Sequence, residues 1–129
     1  MGYVLVVIVL ALLQFLLFGI AVARARARYG VRAPAVSGHE IFERYFRVQA
    51  NTLEQLIMFL PAIWLFAQFV DPHWAAALGV VYLAGRGIYF YSYVKNPASR
   101  ALGFALTSIP TLLMLAGVLY EALRLLAAS

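Results

Sequence analysis

The sequence contains no cysteine. That excludes a disulfide framework, a thiol nucleophile and a thiolate metal site, so any sulfur chemistry has to use a sulfur borrowed from a small molecule. Charge is scarce too: Asp, Glu, Lys and Arg make up 12% of the 129 residues, with five acidic side chains in all. A water-soluble domain carries about twice that proportion on its surface, which excludes a soluble fold. His39 and His73 are isolated, with no partner at ligand spacing, so no metal site is expected. A nucleophile elbow, a phosphate loop and a glycine fingerprint are all missing. The chain also lacks the internal repeats and paired broken helices of a transporter.

What is present is hydrocarbon: 65% of the residues are hydrophobic. Four apolar segments, at about 3–23, 46–69, 74–93 and 101–122, are each close to the roughly 20 residues needed to span a bilayer as a helix. The expected fold is all-α, an integral membrane four-helix bundle, with residues 1–129 forming a single domain and no room for a separate soluble one. The first apolar run starts at Tyr3 without a basic leader and is too long for a signal core, so it reads as a retained span. Residues 29–41 read as a loop, punctuated by Gly30, Pro34, Ser37 and Gly38.

The net charge of +5 is local. Six of the ten basic residues lie between Arg24 and Arg47, beside a span where anionic headgroups attract them, and no groove-reading motif accompanies them. Membrane lipid, not nucleic acid, is the expected partner. Arg24, Arg26, Arg28 and Arg32 in the first loop, with Lys95 and Arg100 in the third, place both loops in the cytoplasm by the positive-inside rule.

Polar groups inside the spans fall into stripes. At about 100° per residue, Arg47, Asn51 and Glu54 share one face of the second span, at i, i+4 and i+7. Tyr82, Arg86, Tyr89 and Tyr93 share one face of the third, toward the same end. Such groups are costly in hydrocarbon unless they face the bundle interior and find partners. Two readings follow: Arg47, Glu43 and Glu54 neutralise one another between helices, or the stripes line a ligand site. Arg86 calls for a buried anionic partner, either Glu54 or a ligand carboxylate. The Gly85, Arg86, Gly87 run reads as close helix packing.

The segment Phe42 to Pro61, with Glu43, Arg44, Arg47, Gln49, Asn51 and Glu54, resembles the second-helix signature of the MAPEG family, membrane-associated proteins in eicosanoid and glutathione metabolism. The likeness extends over nearly the whole chain: four spans, a basic first loop, the Tyr89 and Tyr93 pair with Arg100 downstream, and proline in spans two and four. It is strongest to the branch holding leukotriene C4 synthase and the microsomal glutathione transferases.

The resemblance implies a homotrimer with glutathione, as co-substrate, between adjacent subunits. It assigns Arg47, Asn51 and Glu54 to the peptide's charged ends, Gln49 to a further contact, and Tyr89 and Tyr93 to hydroxyl contacts. Arg86 joins the binding set as the charge within the tyrosine stripe, and Arg100 matches an arginine at the thiol end. Register counted from Gln14 puts Arg26 at the thiolate-activating position; counted from Arg47 it falls on Ala27, with Arg28 as the other candidate. Position 55 departs from the pattern, with Gln where leukotriene C4 synthase has tyrosine.

The implied activity is attack of the glutathione thiolate on a lipophilic electrophile or hydroperoxide. The alternative within the same fold is a non-catalytic, lipid-binding partner protein.

Overall fold

A segment without water around it has to close its backbone hydrogen bonds internally, and all four apolar segments do so as α-helices. The computed structural model describes residues 1–129 as α1 (Gly2–Tyr29), α2 (Glu40–Phe69), α3 (Pro72–Lys95) and α4 (Ala101–Ala128), with a 3-10 turn at Pro97–Ser99. Every helix overruns the apolar segment that defines it. The basic run does not stop α1, which carries Arg24, Arg26 and Arg28 to its C-terminus, where Gly30 ends it with φ 69°.

The first loop is shorter than the composition suggests. α2 begins at Glu40 because His39 Nδ1 accepts from the Ile41 amide at 3.1 Å, a cap of unusual residue type. Asp71 caps α3 in the ordinary way, accepting from the His73 amide at 3.0 Å, with Pro72 in the first turn. α2 runs unbroken through Pro61, and α4 through Pro110.

Long-range hydrogen bonds fix which ends meet. Arg44 Nη1 near the start of α2 donates to the Val94 and Lys95 carbonyls at the end of α3, at 3.1 and 3.3 Å. The first and third loops therefore lie at one end of the bundle. Midway, Gln14 Nε2 of α1 donates to the Leu83 carbonyl of α3 at 3.0 Å.

The main core gathers Val4, Val7 and Ala11 of α1, Phe59 and Ile63 of α2, Tyr82 of α3 and Met114 of α4, with Phe59 and Tyr82 stacked at 3.7 Å. Glycine sets the α3–α4 distance: a Cβ on Gly85 would come within 2.7 Å of the Leu106 backbone, and one on Gly103 within 2.5 Å of the Tyr89 backbone. Gly87 meets nothing within 4 Å, so only Gly85 of that pair serves packing.

α1, α2 and the segment Pro97–Ala128 are long and apolar enough to cross a membrane. α3 has the length, 24 residues or about 36 Å, but Arg86 and its tyrosines lower its hydropathy. Tyr82, Arg86 and Tyr89 are all buried inside the bundle. α3 thus hides its polar stripe against its neighbours, while large apolar side chains of α1 and α4 stay exposed, as lipid requires and water would not tolerate.

Candidate functional site

At the end where the first and third loops meet, α2, α3 and α4 leave a cleft of about 320 Å³. α2 contributes Arg47, Asn51 and Glu54, α3 contributes Tyr89 and Tyr93, and α4 contributes Phe104 with Arg100 at its N-cap. The two stripes read from the sequence therefore line a single space. The Tyr89 and Tyr93 rings stack 5.5 Å apart, and Tyr89 is buried while Arg47 and Glu54 are exposed to the cleft.

The charges do not cancel internally. The chain's ion pairs are Arg44–Glu40 and Arg124–Glu121, with the His73 ring 3.9 Å from Asp71, so Arg47, Arg100 and Glu54 are all unpaired. Glu43 accepts from the Gly38 amide and not from an arginine. Mutual neutralisation of Arg47, Glu43 and Glu54 is thereby corrected: at helical spacing they share a face, yet their charged ends stay apart. Two guanidiniums and one carboxylate therefore face one small, open cleft, free to meet a ligand's charges.

Arg86 stands behind this wall. Its side chain is fully buried (0% exposed), with Nη1 donating to Asn51 Oδ1 and Nη2 to Thr52 Oγ1, both at 2.9 Å, and its guanidinium lies 4.4 Å from the Tyr89 ring centre. The expected anionic partner, Glu54, is absent from this set. The charge meets two neutral oxygens and an aromatic face, and its buried Nε has no hydrogen-bond partner. Thr52 in turn donates to the Val48 carbonyl at 2.7 Å.

The remaining sequence-derived candidates lie elsewhere. Arg26 Nη1 donates to the Ala35 carbonyl at 2.7 Å and its guanidinium covers Phe42; it does not line the cleft. Gln49, some 200° around the helix from Arg47, lies over Gly19 of α1, where a Cβ would come within 2.7 Å of its Nε2. Arg28 faces a separate groove on α1. Neighbouring helices decide these placements, and the register of α1 against α2 cannot be counted from either sequence alone. Phe104 was not anticipated, although its i+4 spacing from Arg100 is a helical signal.

One helical turn deeper, α2 and α4 bound a second groove of about 280 Å³. Gln55 and Met58 continue the Asn51 and Glu54 positions by four residues, and Ser108 continues Phe104, a step of about 6 Å along each axis. Its other walls are Thr111 and the apolar Ile109, Leu112 and Leu115. Gln55 Oε1 and Ser108 Oγ are buried there without a hydrogen-bond partner, an unusual and costly arrangement.

Comparison with known proteins agrees with this architecture. The model of the MAPEG family matches residues 3–120. An uncharacterised protein of Synechocystis sp. is 49% identical over 114 residues, covering 88% of this chain and 83% of its own. Microsomal glutathione S-transferase 2 of Homo sapiens is 39% identical over 103 residues, covering 79% and 70%. Leukotriene C4 synthase of Cavia porcellus is 35% identical over 83 residues, covering 64% of this chain and 55% of that protein.

Proposed function

The chain belongs to the MAPEG family, and from that membership and the charge pattern of the cleft we propose that it is a membrane-bound glutathione transferase. Glutathione carries two carboxylates and one ammonium. The observation that carries the reading is the unpaired complement on the protein side: two arginines and one glutamate in a single cleft with an amide and two phenols. Arg47 and the Asn51 amide hold carboxylate, Glu54 holds the ammonium, and Tyr89 and Tyr93 donate hydroxyl hydrogen bonds. The relatives named microsomal glutathione S-transferase 2 support the co-substrate assignment.

A free thiol titrates near about 8.5 and attacks only as the thiolate. Bringing it to about 6.5 takes roughly 2.7 kcal/mol of preferential stabilisation of the charged form, within reach of one guanidinium once the bound ligand covers it from water. Arg100 takes this role in our reading, since it lines the cleft at the N-cap of α4 while Arg26 of the same chain does not. The thiolate then forms a carbon–sulfur bond with the electrophile as its leaving group departs, the thiol proton having passed to water. The deeper α2–α4 groove supplies the lipophilic substrate laterally from the bilayer, and the cleft is filled from the cytoplasmic side. Peroxidase action on a hydroperoxide uses the same thiolate.

Isothermal titration of the purified protein tests the reading: millimolar or tighter glutathione binding, weakened by Arg47→Ala, supports it, and absence of binding at millimolar concentration ends it. A homotrimer with the basic loops facing the cytoplasm completes the proposal, and subunit counting by native mass spectrometry checks its stoichiometry.

A further inference from the structure

A larger opening than either substrate groove lies on the opposite side of the bundle. It measures about 620 Å³ and is built mainly on α1, with Tyr45 of α2 and Phe90 of α3 behind it. The basic run of the sequence is divided between two faces of the helix. Arg26 turns toward the first loop and the Ala35 carbonyl, while Arg24 and Arg28, four residues apart and so neighbours on one face, both line the groove. No carboxylate lines it, and neither arginine belongs to an ion pair. Both side chains are exposed, with Arg28 resting 5.5 Å from the Tyr29 ring centre.

The floor is aromatic. Phe90 stacks on Phe18 at 4.6 Å and meets the edge of Tyr45 at 5.8 Å, and Tyr29 stacks on His39 at 4.3 Å. Below the arginines the wall becomes apolar: Leu17, Ile20 and Ala21 occupy the last turns of α1's hydrocarbon stretch. The groove is thus cationic and phenolic at the level of the membrane interface and apolar toward the bilayer interior. That gradient is the inverse of an anionic amphiphile, and tyrosine favours the same depth. Its volume fits a headgroup with the first part of its acyl chains.

We propose that this groove is a binding site for an anionic glycerophospholipid, with the phosphate held between Arg24 and Arg28 and the acyl chains lying along Leu17, Ile20 and Ala21. It is separate from the α2–α4 substrate path and does not depend on the transferase reading.

The test is native mass spectrometry of the full chain in detergent, titrated with phosphatidylglycerol or phosphatidylcholine. With on the order of 1 kcal/mol per arginine near a headgroup, the wild type should prefer phosphatidylglycerol by at least about ten-fold. Arg24→Gln with Arg28→Gln should abolish the preference. Arg32→Gln with Lys95→Gln removes the same charge at the same end and should retain it. Ala21→Trp keeps both arginines but fills the groove, and should lose it, which separates a site from diffuse surface charge. Equal helical content by circular dichroism accompanies each variant.

No preference in the wild type overturns the proposal. So does equal loss in the Arg32 and Lys95 control, full retention in Ala21→Trp, or displacement of the lipid by equimolar inorganic phosphate. A changed subunit number in the Arg24 and Arg28 variant without altered lipid preference would make the face an interface between copies, and would also overturn it.

Discussion

Arg86 Nη1 donates to Asn51 Oδ1 at 2.9 Å, and this one bond decides which end of the Asn51 amide the cleft can use. A guanidinium has no acceptor, so its partner must be the amide oxygen. With Oδ1 committed to Arg86, Nδ2 is the free end, and Asn51 offers the cleft a donor suited to a carboxylate. The Nη2 bond to Thr52 holds the guanidinium in place.

Replacing Arg86 by Met removes the orienting bond and one buried charge, and glutathione affinity should fall about ten-fold or more, as the loss of a charge-assisted hydrogen bond implies. Arg86→Lys keeps the charge but cannot form the two-pronged fork, and should fall between. Isothermal titration on samples matched by melting temperature measures this; equal affinities in all three proteins would remove Arg86 from the binding account.

Asn51→Asp should separate stability from binding. The new carboxylate pairs with buried Arg86, so thermal stability is expected to hold or rise, yet the cleft loses its donor and gains a negative charge. Glutathione affinity should drop by about 30-fold or more. A variant that binds normally would show that Asn51 does not face the ligand.

The α3–α4 contact sets the cleft's far wall. Gly103→Ala places a Cβ against the Tyr89 backbone, and should cost about 1–3 kcal/mol with loss of activity. Gly87→Ala meets nothing and should be neutral or stabilising by up to about 1 kcal/mol through helix propensity. Thermal melts in detergent compare the two.

Filling the deeper groove by Ser108→Trp should raise the KM for a hydrophobic chloronitrobenzene while leaving glutathione affinity unchanged, because Ser108 lies a turn beyond the cleft. Steady-state kinetics with each substrate varied in turn decide it. Equal effects on both substrates would place the electrophile elsewhere.

Much of this was legible in the sequence because it was periodic. Arg47, Asn51 and Glu54 share a helix face wherever the helix sits, and Tyr89 with Tyr93 does the same, so their convergence needed only two helices to meet. Side chains whose position depends on a neighbour were not legible. Gln49 belongs to the same signature as Arg47 but points to α1. Arg24 and Arg28 share one face of α1 by helical spacing and line a groove, but that Arg26 on the other face meets the returning first loop at the Ala35 carbonyl depends on the loop's course. The sequence calls for an anion beside Arg86, either Glu54 or a ligand carboxylate; Glu54 is not its partner, and the guanidinium meets two neutral oxygens and an aromatic ring while its buried Nε has no partner. The His39 cap escaped notice because histidine seldom starts a helix.

On the proposed function, the α2–α3–α4 cleft binds glutathione and holds its sulfur as thiolate beside Arg100. Ultraviolet difference absorbance of the thiolate, recorded for protein saturated with glutathione across a pH series, measures this directly. The wild type should show a thiolate band at neutral pH. Arg100→Ala should shift its midpoint upward toward the free-thiol range, since removing a cation disfavours the charged form, and Arg26→Ala should leave it in place. A wild-type band with the midpoint of free glutathione, or one that Arg100→Ala does not move, would show that Arg100 does not stabilise the thiolate.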